Sequence, residues 1–514
     1  MGMKLSRSVV GDEMKSVLGR RLIVAGMWLA LSSGCGDSED QVWRSDAPDT
    51  CEPAPQLESQ RLVVDGQMFQ DTAGRQVLLR GVNAGGRSKF PPFFPFPFHE
   101  SGYPGQEDAD SFDVEMARYV DKLEEWGLNV VRLPFSWEAV EPVRGEYDAV
   151  YLERLTRYAQ HLSDRGIRVI LDFHQDVFSR AFCGDGFPLW AQEDPELPLP
   201  PIEDCASWFS AYLNGSGPVA EAFDRFWKNE DGLQDALLEM WRQVLRATKD
   251  VDGVIGAELM NEPWEGKLAT EDWAANYMKP LVENFYDVVM EERDELIVFF
   301  GSAGTDTLSG KTVVHAPVRD AIAFAPHFYD PIVYIMGTTS KKWDPPAVLN
   351  NFWQSGLDWN VPVLVGEMGC RTAQRHCDTY TRAVYDTIDT YPMHATSWEY
   401  SATKDDWNNE GFGLVEFGGV ERPAADEIVR VYPAEIGGTW ESFSFDRASR
   451  TASLRFVGDD AAWTELVVPP RLFPQGFEIV REEGKSCISW DEARGRVMIQ
   501  SDGAGTQALT LRAR

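Results

Sequence analysis

Apolar runs of strand length alternate with stretches of helical spacing along most of the chain. Most of the runs are rich in aliphatic residues, which is typical of strands buried on both faces of a parallel sheet. Eight runs separated by helical segments predict the α/β class and a (β/α)8 TIM barrel. The predicted strands are residues 77–83, 129–135, 168–174, about 254–262, 296–301, 321–329, 361–369 and 393–400. The clearest helices are predicted over 111–126, 148–165, about 220–249 and about 271–292.

The pattern changes to short alternating runs near the C-terminus. Runs such as 453–457, 465–468 and 496–499 alternate apolar and polar residues, as strands with one buried face do. They predict a small C-terminal antiparallel β-sandwich over 433–514, appended to a catalytic barrel over 59–432. Residues 61–69 resemble a hairpin that caps the barrel floor.

The N-terminus has the pattern of an export signal. Basic residues precede an apolar segment, 22–31, which is too short to span a bilayer. The segment Ser32-Ser33-Gly34-Cys35 resembles a bacterial lipobox, so residues 1–35 are predicted to be a signal peptide that ends at a lipidated Cys35. Cleavage by the ordinary signal peptidase is the alternative, and Met14 is an alternative start. Residues 36–58 are polar and predict a flexible tether, so we expect an extracellular or cell-surface protein.

Composition and charge narrow the class of partner. The chain has 514 residues, 43% of them hydrophobic, with 48 basic and 82 acidic side chains and a net charge of -34. Phosphates would be repelled, so a nucleic-acid partner is not expected. After Cys35, six cysteines remain in a chain that we expect to be exported. We predict the disulfides Cys183–Cys205 and Cys370–Cys377, and because no C-x-x-C spacing occurs we predict no structural zinc.

Two of the predicted strands end in a glutamate. Asn261 and Glu262 end the fourth strand, and Glu367 ends the seventh. Since the carboxyl ends of barrel strands face one mouth, the two carboxyls should meet there. Glycoside cleavage needs one proton donor and one nucleophile. Glu262 is the predicted acid and base, because partial burial favours its neutral form, and Glu367 is the predicted nucleophile.

Further polar and aromatic residues lie at predicted strand ends. Support for an ionised Glu367 is expected from Arg132, His327 and Tyr329. A neutral His174 and Asp176 could form hydrogen bonds to sugar hydroxyls, although such a pair is also common as a structural contact. Trp398 could be the platform for a sugar ring or a core residue.

Two other glutamates near strand ends do not fit a catalytic role. Glu416 lies beyond the eighth strand, and Glu399 follows Trp398, so strand alternation should point one of those two away from the mouth. Neither residue is therefore expected to contribute a catalytic carboxyl.

These residues together carry a family resemblance. The set resembles the active site of glycoside hydrolase family 5, a retaining group, and it comprises Arg132, His174, Asn261, Glu262, His327, Tyr329, Glu367 and Trp398. Lys89 before a Pro-aromatic loop, the segments 171–179 and 326–330, and the trailing sandwich are similar to endoglycoceramidases. The resemblance implies hydrolysis of the bond between glycan and ceramide in a glycosphingolipid, with a covalent intermediate on Glu367. It also implies that Lys89, His174, Asp176 and Asn261 hold the sugar nearest the lipid.

The resemblance leaves several points open. Met368 replaces the aromatic residue that is common beside the nucleophile, and the loop between Cys370 and Cys377 has no counterpart that we can assign. We expect no metal, no organic cofactor and a monomer. An exo-acting glucosylceramidase, an endo-β-glucanase and an inactive surface glycan-binding lipoprotein remain alternatives. The loop 90–98, rich in Phe and Pro, forms either the apolar side of a ceramide groove or a stiff loop packed on the barrel.

Overall fold

The computed structural model describes residues 44–45, 59–102, 106–201, 204–212, 214–309, 312–330, 332–333, 345–403, 406–460 and 462–514. The described residues belong to one compact unit, Trp43–Arg514. The predicted signal peptide, Cys35 and nearly all of the tether lie outside the described residues. Within the residues that are described, no helix is both long and apolar enough to cross a membrane.

Eight parallel strands form the barrel that the sequence predicts. The strands are β1 (Arg80–Asn83), β2 (Val130–Phe135), β3 (Arg168–Phe173), β4 (Val254–Glu258), β5 (Ile297–Gly301), β6 (Ile322–Ala325), β7 (Leu364–Val365) and β8 (His394–Ser397). Their hydrogen-bonded order is β6-β5-β4-β3-β2-β1-β8-β7. A bridge between Phe324 and Val363 brings β6 against β7, and His327–Phe328 then pairs with Glu367–Met368. The sheet therefore closes, and this last pairing lies at the mouth.

Helices separate successive strands on the outside of the barrel. They are Phe112–Glu125, Ala149–Asp164, Pro218–Trp227, Leu233–Ala247, Thr270–Trp273 continued by Ala274–Met278 and Lys279–Glu292, Gly304–Ser309, Pro345–Trp359, Cys377–Ile388 and Pro423–Ile428. A short helix, Trp137–Val140, follows β2.

The prediction of one continuous helix over about 220–249 is wrong. Asn229, Asp231 and Gly232 adopt left-handed backbone angles between Pro218–Trp227 and Leu233–Ala247, so the segment forms two helices. The apolar spacing continues across this break, and for that reason the sequence pattern did not reveal it.

The floor of the barrel is sealed by the N-terminal hairpin. Strands Leu62–Asp65 and Met68–Asp71 pair in an antiparallel manner. Leu62, Phe69 and Val77 pack with the barrel-interior side chains Val130, Ile170, Ile255, Ile297, Phe299, Ala323, Ala325 and Leu364. This apolar plug fills the end where the strands begin. The polar residues are consequently gathered at the opposite, carboxyl end.

Two antiparallel sheets form the C-terminal part, as predicted. Their strands are Tyr432–Ile436, Gly438–Asp446, Thr451–Gly458, Trp463–Val467, Phe477–Glu483, Ser486–Asp491, Arg496–Ser501 and Gly505–Ala513. One sheet also contains the N-terminal hairpin, because Gln76–Val77 pairs with both Met68–Asp71 and Tyr432–Ile436. The first and last parts of the described chain thus share a sheet, which short-range sequence patterns do not encode.

The Phe-Pro loop packs on the barrel. Phe90, Phe94, Phe96 and Phe98 are buried. The last three contact rings on the first two barrel helices, namely Phe112, Tyr119, Tyr151 and Tyr158. These ring contacts bury four of the phenylalanines, which favours the alternative of a stiff loop packed on the barrel.

Candidate active site

Glu262 and Glu367 meet at the mouth of the barrel. Glu262 follows the end of β4, and Glu367 is the ladder partner of His327 just beyond β6 and β7. One carboxylate oxygen of each glutamate and a ring nitrogen of His327 lie within 4.8 Å of one another. Retaining glycosidases place their carboxyls about 5–5.5 Å apart, and inverting ones about 6.5–9.5 Å. The short separation fits attack by one carboxyl on the carbon whose leaving group the other protonates.

Glu367 is held by two donors, both of which the sequence predicted. Arg132 Nη1 donates to Oε1 at 2.8 Å, and the Tyr329 hydroxyl donates to Oε2 at 2.9 Å. The glutamate is only 4% exposed. A guanidinium and a phenol on opposite oxygens fix the orientation of the carboxyl group, which is what a nucleophile requires.

The hydrogen-bond partners of the Glu262 carboxyl are an imidazole and a hydroxyl. His327 Nδ1 lies 2.8 Å from its Oε1, and the Thr307 hydroxyl donates to the same oxygen at 3.2 Å. Gln175 Nε2 donates to the backbone carbonyls of Asn261 and Glu262 at 2.8 and 3.1 Å, which fixes the turn after β4. His327 was predicted to support Glu367, but its ring nitrogen is nearer to Glu262, since the distance to Glu367 Oε2 is 3.6 Å.

The predicted sugar-binding residues form a second group beside the two glutamates. Lys89 Nζ donates to Asp176 Oδ2 at 2.5 Å and stands 4.4 Å from the centre of the Trp398 ring. The ring of His174 stacks on Trp398 with centroids 5.1 Å apart, and its Nε2 lies 3.6 Å from Asp176 Oδ2. Asn261 Oδ1 accepts from Arg132 Nη2 at 3.0 Å. The structure therefore brings together all ten residues that the sequence singled out.

Comparison with known proteins places this site in a family. Residues 96–404 match the family model for cellulase (glycosyl hydrolase family 5), and residues 430–511 match the glycoside hydrolase family 5 C-terminal domain. The chain belongs to glycosyl hydrolase family 5. This family 5 enzyme is accordingly a glycosidase.

Individual relatives extend the comparison. The family 5 enzyme is 27% identical over 480 residues to endoglycoceramidase I of Rhodococcus hoagii, covering 88% of each chain. It is 30% identical over 255 residues to a glucosylceramidase of Aspergillus fumigatus, but that match covers 41% of this chain and 33% of the relative. In fold it is similar to endo-glycoceramidase II from Rhodococcus sp. in a ganglioside GM3 complex, with a TM-score of 0.71, 23% identity and coverage of 88% and 100% of the two chains.

The two glutamates of the family 5 enzyme sit in different electrostatic surroundings. Burial, together with the charge of Asp176, raises the pKa of Glu262 to about 7. Burial also lowers the pKa of His327 to about 4, so its imidazole is neutral and can exchange a hydrogen bond with either form of Glu262. Glu367 in contrast bonds directly to the Arg132 cation. This asymmetry assigns the role of proton donor to Glu262 and leaves Glu367 as the nucleophile.

The first chemical step, in which the glycan is transferred from the substrate to the nucleophile, is expected to slow as the pH rises through about 7. Glu262 must carry a proton to assist the leaving group, and its pKa is about 7. Above that value kcat/KM should decline about tenfold per pH unit, because the protonated fraction declines by that factor. Initial rates in a buffer series test this, and a plateau that extends about two pH units higher would contradict it.

The prediction of a neutral His174 is wrong. Burial by itself would lower its pKa, but the carboxylate of Asp172, 2.7 Å from Nδ1, together with Asp176, raises the pKa to about 10. The imidazolium therefore offers two N–H donors. Asp172 lies inside β3, where an apolar run hid it from the sequence interpretation.

The glutamates rejected from the sequence lie outside the catalytic pair. Glu416 is exposed in a turn near Arg422. Glu399 is buried, but its Oε2 accepts from the Gly86 backbone N–H and the Ser401 hydroxyl, at 2.7 and 2.6 Å. It supports the backbone beside Lys89 and makes none of the contacts that join Glu262, His327 and Glu367.

Several site residues were missed by the sequence interpretation. They are Asn83, Asp172, Gln175, Glu258, Thr307, Trp208, Trp407 and Glu410. Trp407 lies 3.9 Å from Lys89 Nζ, and Glu410 accepts from Trp398 Nε1 at 3.3 Å. Both belong to the loop after β8, which has no periodic signal. A search for polar residues that interrupt barrel strands could have found Asp172 and Glu258.

Both predicted disulfides are confirmed. Cys183 and Cys205 are joined within the long segment after β3, and Cys370 and Cys377 are joined just after the Glu367 strand end. The second bridge connects that strand end to the first residue of helix Cys377–Ile388. It therefore restrains the chain that follows the nucleophile candidate.

Proposed function

We propose that this family 5 enzyme hydrolyses the β-glycosidic bond between an oligosaccharide and ceramide in glycosphingolipids. The observation that carries the proposal is the similarity to an endoglycoceramidase across both the barrel and the C-terminal sheets. The glucosylceramidase match, although higher in identity, covers less than half of the chain. An exo-acting glucosylceramidase is therefore the second candidate.

The geometry supports a double displacement. Glu367 attacks the anomeric carbon while Glu262 gives its proton to the departing ceramide oxygen, so the carbon–oxygen bond breaks as the glycosyl ester forms. Glu262, now a carboxylate, then takes a proton from water, and the water oxygen attacks the same carbon and releases Glu367. Two inversions retain the β configuration. The neutral His327 and the Thr307 hydroxyl contact Glu262 Oε1, and each can either donate or accept a hydrogen bond, so the contacts suit both protonation states of the carboxyl.

The charged group beside the glutamates has the chemistry of a sugar subsite. Lys89 and the imidazolium of His174 can donate hydrogen bonds to sugar hydroxyls, Asp176 can accept them, and Trp398 offers an apolar ring face. Hydroxyl pairs on a pyranose match alternating donors and acceptors, and the apolar face of the sugar matches an indole. We assign these residues to the sugar that bears the ceramide.

We also propose that the protein is exported as a monomer and lipid-anchored at Cys35. The support is the sequence alone: an apolar segment preceded by basic residues and followed by a lipobox-like tetrapeptide. An anchor would keep the enzyme at a membrane surface, where its substrate is found. The mass of the N-terminal peptide of the mature protein distinguishes a lipidated Cys35 from ordinary cleavage.

Release of an intact oligosaccharide and free ceramide is the expected result with natural substrates. Purified protein covering residues 36–514 is incubated with detergent-solubilised ganglioside GM1, lactosylceramide and glucosylceramide, and both products are identified by mass. The Glu367→Gln variant is the control for contaminating activity. Loss of glucose from glucosylceramide alone would favour the exo-acting candidate. Cleavage of a soluble β-glucan but of no lipid would contradict the proposal, and binding without turnover would indicate an inactive glycan-binding protein.

A further inference from the structure

The side chain of Arg132 is completely buried and connects the catalytic centre to a carboxyl below it. Nη1 donates to Glu367 at 2.8 Å and to Asn83 at 2.9 Å, and Nη2 donates to Asn261 at 3.0 Å. Nε faces the other way and donates to Glu258 Oε2 at 2.7 Å. Every nitrogen of the guanidinium thus has a partner: Nη1 also lies 3.1 Å from Asp172 Oδ2, and the partner of Nε is Glu258.

Glu258 is the last residue of β4 and is fully buried. Its Oε2 contacts Arg132, while its Oε1 has no hydrogen-bond partner among the described residues. Burial of a carboxyl costs several kcal/mol unless it is paired, so this side chain is stable there chiefly through Arg132. Its hydrogen-bonded connection to the nucleophile therefore runs through the arginine.

A planar guanidinium held at one edge has little freedom at the other. Fixing Nε fixes the plane of Arg132, and the plane determines where Nη1 and Nη2 point. We propose that Glu258 is a positioning residue that holds Arg132 by Nε so that its two other nitrogens meet Glu367 and Asn261. The inference adds Glu258 to the reaction machinery and rests on the glycosidase reaction, whichever lipid is the substrate.

The contact works as a hydrogen bond in either charge state of Glu258. Burial raises the pKa of this carboxyl to about 7, although the charge of Arg132 opposes the rise. In the protonated form Oε1, which has no partner, can carry the proton while Oε2 continues to accept from Nε. An amide of the same length offers the same acceptor. A shorter carboxylate keeps the charge but withdraws the oxygen by one methylene.

Glu258→Gln keeps the length of the side chain and removes its charge, whereas Glu258→Asp keeps the charge and shortens the side chain. The assay uses a 4-nitrophenyl β-lactoside, which contains no ceramide. The test of Glu258 therefore remains valid even if the proposed ceramide substrate is wrong. Glu258→Gln should stay within about threefold of the wild-type kcat/KM. Glu258→Asp should lose about 100-fold, mostly in kcat, because a misplacement of about 1 Å at the catalytic centre costs that much. A glutamine variant as slow as the aspartate variant would overturn the proposal, as would an aspartate variant with normal kcat.

A double-mutant cycle tests whether the effect passes through Arg132. In an Arg132→Lys background, Glu258→Asp should lower kcat/KM by less than about twofold, because the guanidinium that Glu258 positions is absent. The matched control is Glu435, another buried carboxyl, which accepts from Arg168 at 3.4 Å in the C-terminal sheet. Glu435→Asp should leave kcat unchanged and combine additively with Arg132→Lys. An undiminished Glu258→Asp effect in the lysine background would show a merely structural role.

Discussion

Replacing Glu367 with glutamine is expected to lower kcat by at least about 10,000-fold and to leave the fold intact. The amide cannot attack the anomeric carbon, so the covalent route is lost, and removal of a nucleophile commonly costs this much or more. The amide oxygen can still accept from Arg132, whose distance to the carboxylate is 2.8 Å. Initial rates on an aryl β-lactoside, with thermal unfolding measured in parallel, test both parts of the expectation.

A mechanism-based label provides the matched control. A 2-deoxy-2-fluoro β-glycoside with a good leaving group should glycosylate the wild-type enzyme and be hydrolysed slowly, so the labelled peptide can be found by mass. The label is expected on Glu367, and the Glu367→Gln variant should remain unlabelled. A label on Glu262 or on the buried Glu399 would show that the nucleophile has been misassigned. Normal turnover by the glutamine variant would have the same meaning.

The strand ends that carry the chemistry could be predicted because two local signals coincide there. An apolar run stops at a carboxylate, an amide or an imidazole, as at Asn261 and Glu262, and the barrel brings such stops to one mouth. The number of strands then gave the fold. The partners of each carboxyl were harder to assign, since His327 reaches Glu262 more closely than Glu367.

Long-range contacts and buried charges could not be predicted from the same patterns. Asp172 and Glu258 belong to buried strands, where the sequence pattern gives no reason for a charged residue. The reason is their ion pairs with Arg132, which only the three-dimensional structure shows. The protonation of His174 depends on Asp172 at 2.7 Å, which is a distance and not a sequence feature. Pairing of Gln76–Val77 with Tyr432–Ile436 joins segments that no local period connects.

Replacing Glu262 with alanine should have an effect that depends on the leaving group. Ceramide departs as a primary alcohol and needs a proton, so kcat/KM on glycolipid should fall about 100- to 10,000-fold. A 2,4-dinitrophenyl glycoside leaves without assistance, so its first step should stay near the wild-type rate. Hydrolysis of the intermediate should then become rate-limiting, because the base that activates water is also lost. A series of aryl glycosides with leaving groups of increasing basicity measures this dependence.

Glu399→Gln is the control that isolates the acid role. Burial raises the pKa of Glu399 to about 7, as it does for Glu262, but Glu399 bonds to Gly86 and Ser401 and lies outside the catalytic pair. The control should therefore show no leaving-group dependence and keep the decline of rate above neutral pH, which the alanine variant should lose. Azide should restore turnover of the activated substrate by Glu262→Ala, because a small anion can enter the vacated space and attack the intermediate without a base. Equal losses on lipid and dinitrophenyl substrates would assign the proton to another group.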